Sequence, residues 1–117
     1  MLLALCVAVT FPSFAASVSG TSPAGNAIEV EIKQTPNLKY PRRAERLGVE
    51  GYVTVGFDLS AEGELIDLRV IDSVPRLMFD KSALKFVESM KFVVPEENGK
   101  RVLTRDIKFR VQFQLQN

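Results

Sequence analysis

From Tyr52 to Leu59 the chain alternates: Val53, Val55, Phe57 and Leu59 fall on one face, and Tyr52, Thr54, Gly56 and Asp58 on the other. A period of two puts one set of side chains in a core and the other toward solvent, so the segment reads as a half-buried strand. Ser60-Ala61-Glu62-Gly63 follows as a hairpin connection whose glycine can hold a positive φ. Leu65 to Ile71 is the returning strand, with Ile66, Leu68 and Val70 expected on the core side, Asp67 and Arg69 opposite, and Ser73 and Pro75 ending it. The period then changes. Between Leu77 and Phe92 the apolar residues Phe79, Ala83, Phe86, Val87 and Met90 recur at intervals of three and four, which places them on one stripe of a helix. Pro95 to Lys100 is turn-rich. After it Ile107, Phe109, Val111, Phe113 and Leu115 alternate with Asp106, Lys108, Arg110, Gln112 and Gln114, the cleanest strand pattern in the chain.

Upstream, Ile28, Val30 and Ile32 alternate with Glu29, Glu31 and Lys33, a short strand or extended lead-in that Pro36 ends. Tyr40-Pro41 opens a short helix, because proline has its torsion pre-set for a first helical turn and needs no amide donor there. That helix spans Arg42 to Leu47, with Ala44 and Leu47 at helical spacing and Gly48 as its left-handed stop. Ser17 to Asn26 is small, polar and rich in Gly, Ser and Pro, a composition read as a tether. The division expected is a leader over residues 1–15, a tether and lead-in over 16–33 and one domain over 34–117. A sheet with one apolar face must bury it, and the helix stripe is the available cover. The class is therefore α+β: a three-stranded antiparallel sheet with two helices packed on one face. The hairpin pairs the first two of these strands, and the last can join either side.

Composition narrows the function. The 117 residues include no histidine, no tryptophan and one cysteine, and the 15 basic and 14 acidic side chains give a net charge of +1. The signs are interspersed, so no broad basic field exists to capture nucleic acid. No histidine can act as base, the single Cys6 lies in the leader, and no His/Cys metal set can be drawn. Asp58, Glu62, Glu64 and Asp67 cluster near one hairpin, where exposed charge is ordinary, and Ser82 and Ser89 have no base partner. Neither an enzyme nor a cofactor or metal site is expected. The leader, MLLALCVAVTFPSFA, is an apolar run with Ser13 and Ala15 at signal-peptidase spacing, which points to export with cleavage before Ala16. A spanning helix needs about 20 apolar residues, so inner-membrane anchoring is the second reading of this run.

Taken in order, Tyr40-Pro41, Glu50-Gly51, Glu62-Gly63, Ser73, Phe79-Asp80 with Ala83, Met90-Lys91-Phe92 and Asn98-Gly99-Lys100 resemble the C-terminal domain of TonB-family proteins from Tyr40 to Leu115. Met90 stands where the family usually has an aromatic residue. The resemblance implies a periplasmic domain that binds the TonB box of an outer-membrane receptor as an added strand. In the family this segment pairs with the last strand, which maps here to Arg105 through Phe113: Arg105, Ile107, Lys108, Phe109, Arg110, Val111, Gln112 and Phe113, with Tyr40 and Pro41 as further contacts. Main-chain hydrogen bonds supply affinity in such a pairing, and pockets for alternate side chains supply selectivity.

If anchored, the chain is expected to meet a proton-driven motor complex of the inner membrane. A tether from Ala16 to Lys33 reaches roughly 60 Å at about 3.4 Å per residue, a poor fit to a transducer that crosses the periplasm. The alternative reading is a structural or assembly module of the envelope that homodimerises through its last strand. Lys108, Arg110 and Gln112 are expected on the outward face of that strand, where charge both greets a polar peptide and guards the edge against aggregation. Arg42, Arg43 and Arg46 read as a solvated helix face.

Overall fold

In a computed structural model that describes residues 17–115, ten elements follow one another. They are β1 (Ser17–Thr21), β2 (Ala27–Gln34), α1 (Arg42–Leu47), β3 (Gly51–Leu59), β4 (Leu65–Val74), α2 (Asp80–Glu88), β5 (Lys91–Val93), β6 (Glu96–Glu97), β7 (Lys100–Arg101) and β8 (Thr104–Phe113). The sheet order is β4-β3-β8-β1-β2-β5, antiparallel at each pairing, and β6 and β7 form a separate two-stranded ribbon. The leader and Cys6 lie outside the described residues. Among those described, no helix is long and apolar enough to cross a membrane.

The alternation in β3 does what its period demands. Val53, Val55, Phe57 and Leu59 are fully buried, and so are Ile107 and Phe113 of β8, which pairs beside it. α2 closes this face with Phe79, Ala83 and Val87, all fully buried. The α+β class holds, with two helices against an antiparallel sheet; the three longest strands, β4, β3 and β8, form one end of it, and β1, β2 and β5 extend the sheet beyond β8.

β4 departs from the simple alternation for a definable reason. Its register with β3 steps between Gly56↔Arg69 and Asp58↔Ile66, so Asp67 and Leu68 together face Phe57. Asp67 takes φ of 57° at this bulge. The extra residue turns the phase, so Leu65, Leu68 and Val70 pack on the core while Ile66 is exposed, against the expectation that it faces inward. A second step leaves Ile71 as an additional residue, also exposed. Ser73 pairs with Val53 within the strand rather than ending it.

Three other expectations are corrected. Ser17 to Asn26 is not a tether: Ser17 to Thr21 and Ala27 to Glu31 form a hairpin in direct register, with Val18 opposite Val30 and both in the core. Its turn is tied by the Ser22 amide donating to the Asn26 carbonyl at 2.8 Å and the Gly25 amide donating to the Ser22 carbonyl at 2.9 Å. The long helix stops at Glu88, and Phe92 lies on β5, opposite Ile32 and against the ring of Phe57 at 5.3 Å. In α1, Ala44 is buried but Leu47 is 62% exposed, against the expectation that both share a packed face. Gly48 ends it in the left-handed conformation expected of it.

Candidate strand-addition edge

β8 is fixed along one side by β3, in register from Gly51↔Phe113 to Phe57↔Ile107 and again at Leu59↔Thr104. Between these last pairs Arg105 and Asp106 together oppose Asp58, a bulge in which Asp106 takes φ of 52°. The amide displaced from the ladder is not left bare, because Asp106 N–H donates to Asp58 Oδ1 at 3.0 Å. The Asp58 carboxylate, on β3, thus secures the bulge from the β3 side.

On the other side β8 meets β1 at one register pair, Thr21↔Arg105. The approach there is close. A methyl group on Gly20 would lie 2.5 Å from Thr104 Cγ2, 2.8 Å from Ile107 Cγ1 and 2.9 Å from the Arg105 carbonyl oxygen. Beyond the bulge the two strands border an open groove of about 1100 Å³, with Ser17, Val18 and Ser19 on the β1 wall and Asp106, Lys108, Phe109 and Arg110 on the β8 wall. From Ile107 to Phe113 the described register of β8 is with β3.

The ten residues singled out from the sequence divide into three groups. Ile107, Val111 and Phe113 are buried and Phe109 is partly so, and of these four Phe109 lines the groove. Arg105, Lys108, Arg110 and Gln112 point outward and are exposed, although Arg105 is already opposite Thr21. The Arg110 guanidinium carbon sits 4.0 Å from the centroid of the Tyr52 ring, and the Tyr52 hydroxyl donates to Asp72 Oδ2 at 3.3 Å. These contacts hold Arg110 on the outer face, a cation–π contribution of about 0.5–1 kcal/mol at an exposed site. Arg69 and Ile71 of β4 border the same groove. Arg42, Arg43 and Arg46 are exposed on α1 and do not join it.

Tyr40 and Pro41 form the third group: Tyr40 packs against the core, and Pro41 is half-buried beside it. The Tyr40 ring stands edge-on to Phe79 at 5.5 Å and to Phe113 at 5.8 Å, while Phe79 and Phe113 stack at 4.3 Å. The Tyr40 hydroxyl donates to the Val49 carbonyl, closing the loop around α1. Burial, reinforced by the charges of Glu50 and Glu45, raises the Tyr40 phenol above its ordinary pKa. Tyr40 therefore reaches β8 through Phe113 and supports the strand from behind.

The β1 wall of the groove was missed in the sequence, although Ser17 to Thr21 and Ala27 to Gln34 flank a five-residue stretch carrying Pro23 and Gly25, which is a hairpin signal. Among the described residues no group of three or more His, Cys, Asp or Glu is placed to hold a metal ion.

Known proteins share this arrangement. The solution NMR structure of the Pseudomonas aeruginosa TonB CTD superposes with a TM-score of 0.63 at 27% identity, covering 75% of this chain and 88% of that one. The TonB2 protein of Vibrio anguillarum gives a TM-score of 0.56 at 28% identity, over 73% of this chain and 84% of that one. In sequence, the chain is 33% identical over 101 residues to Protein TonB of Pseudomonas aeruginosa, covering 84% of this chain and 29% of that protein. It is 30% identical over 107 residues to Protein TonB of Xanthomonas campestris pv. campestris, covering 92% of this chain and 48% of that protein. The chain thus spans less than half the length of these curated relatives. The family described as Gram-negative bacterial TonB protein C-terminal matches residues 36–115, which is most of the chain, and the chain belongs to that family.

Proposed function

We propose that this chain is a periplasmic interaction domain that receives the TonB box of an outer-membrane receptor as an added strand along β8, and so takes part in TonB-dependent transport. The observation that carries the reading is that, among the described residues, β8 from Ile107 to Phe113 has its register with β3 alone, while Lys108, Phe109 and Arg110 line an open groove. An extended segment laid there satisfies backbone donors and acceptors on β8 while Lys108 and Arg110 flank it. Phe109, half-buried, offers an apolar contact between them. With Arg69 also at the groove and Asp106 as the opposing charge, the balance favours a segment with acidic side chains. Anchoring in the inner membrane and engagement of a proton-driven motor belong to the same reading.

The test is an amide NMR titration of residues 17–117 with box peptides from receptors of the same cell and a scrambled control. Saturable shifts along Ile107 to Phe113, absent with the scrambled peptide, are expected. Shifts confined to other surfaces, or none together with a concentration-dependent dimer, would move the assignment to the structural module.

A further inference from the structure

The N-terminal hairpin occupies part of the edge on which the proposed function depends. Thr21 is the register partner of Arg105, and Gly20 is wedged against Thr104, Ile107 and the Arg105 carbonyl. A segment adding along the whole of Arg105 to Phe113 needs the space that Gly20 and Thr21 fill. The hairpin also lies before the family match, which begins at residue 36.

We infer that β1 is a displaceable place-holder strand, an internal competitor that covers the start of the β8 edge until an incoming segment peels it away; this rests on the strand-addition reading above. Among the described residues β1 is held to β2 by the five register pairs from Ser17↔Glu31 to Thr21↔Ala27, and to β8 by one. β2 is held on its far side by β5, through Glu31↔Val93, Ile32↔Phe92 and Gln34↔Lys91, and it carries the fully buried Val30. Among the described residues β1 contributes Val18 to the core and one register pair to β8. Peeling β1 away gives up its register with β2 as well as with β8, and leaves β2 paired with β5. The bulge at Arg105 and Asp106 sets where the two strands part, since the groove opens directly beyond it. Ser17 and Ser19 of β1 lie on the groove wall beside Val18.

The competition has a definite arithmetic. Apparent affinity is the intrinsic affinity multiplied by the fraction of molecules with β1 lifted, so an open fraction of about one in ten conceals about tenfold in Kd. Two variants of the full chain, both carrying Cys6→Ser, push this fraction in opposite directions. Gly20→Val places side-chain atoms where Thr104 and Ile107 already stand and lifts β1. Thr21→Cys with Arg105→Cys joins two direct cross-strand partners by a disulfide and holds β1 down.

With the box peptide of the titration as probe, Gly20→Val is expected to bind about tenfold more tightly than its parent. The oxidised double-cysteine chain is expected to bind at least about tenfold more weakly and to recover when reduced. Equal affinity in the parent, Gly20→Val and the oxidised chain would overturn the inference while leaving strand addition intact. Hydrogen exchange supplies an arm that needs no peptide. β1 amides in the parent are expected to exchange well before those of β3, and Gly20→Val to release β1 alone. β1 protection equal to that of β3 would overturn the inference. Absence of peptide binding by the parent and by Gly20→Val would instead count against the strand-addition reading.

Discussion

Tyr40 shows how a residue that attracts functional interest can be fully engaged in holding the fold. Its hydroxyl donates to the Val49 carbonyl and its ring meets Phe79 and Phe113. Tyr40→Phe keeps the ring and loses the hydrogen bond, which is expected to cost about 1 kcal/mol in urea unfolding. The folded phenol is raised by burial first and by Glu50 and Glu45 next, so the neutral form is favoured in the native state. Stability from this group is fully present below the unfolded tyrosine value of about 10 and is lost as pH rises through the higher folded value. In a Tyr52→Phe background, ultraviolet titration is expected to show Tyr40 ionising above that reference, with stability falling in the same window; Tyr40→Phe removes this dependence.

Gly51 is a second case at this scale. A methyl group there would overlap the Val74 carbonyl and crowd Pro75, both part of the β4 end beside it. Gly51→Ala is expected to cost about 1–3 kcal/mol, since backbone rather than a side-chain tip must move. A loss of under half that in urea unfolding would contradict the close approach. Tyr40-Pro41 and Glu50-Gly51, which carried the family resemblance in the sequence, thus mark structural necessities. That is why the family was legible while the β1 wall of the groove was not.

At the scale of elements, what the sequence conveyed was period, and what it withheld was phase after a bulge. β3 and β8 kept their alternation on the core side, so Val53 to Leu59 and Ile107 to Phe113 were readable. Asp67 and Asp106 each occupy a left-handed position, and aspartate is among the few side chains that tolerate it. Nothing in the local pattern announced that these two would carry the extra residue, and Ile66 was misplaced as a result. The Asp58 carboxylate secures the second bulge through the Asp106 amide. Asp58→Ala is expected to cost about 1 kcal/mol and to speed hydrogen exchange of Asp106 and its neighbours, leaving α2 unchanged. Asn98-Gly99 made a two-residue hairpin between β6 and β7, with φ of 53° and 77°, from a dipeptide whose turn chemistry was plain in the sequence.

Over the whole molecule, the sheet is assembled from two parts that share a core: β4, β3 and β8 at one end, β1, β2 and β5 at the other, joined where Thr21 meets Arg105. The first part was legible as a family pattern. The second was not, because the Ser, Gly and Pro that form a tight hairpin also dominate flexible linkers, and only Val18 opposite Val30 separates the two cases. The consequence for the proposed function is that, among the described residues, β8 pairs with β1 only at its start, before the bulge. Lys108 and Arg110 border that open part. Arg110→Glu reverses the charge beside an incoming segment. It is expected to slow association with an acidic box peptide and to reduce the salt dependence of binding, as measured by surface-immobilised kinetics at several ionic strengths.

The central claim is that β8 binds through its backbone. It is tested most directly by two versions of one box peptide, each N-methylated at alternate residues so that one set of amides or the other is blocked. Strand addition predicts that one version loses binding and the other retains it, because alternate amides of an added strand face β8 and the rest face away. Equal binding by both versions would contradict the account.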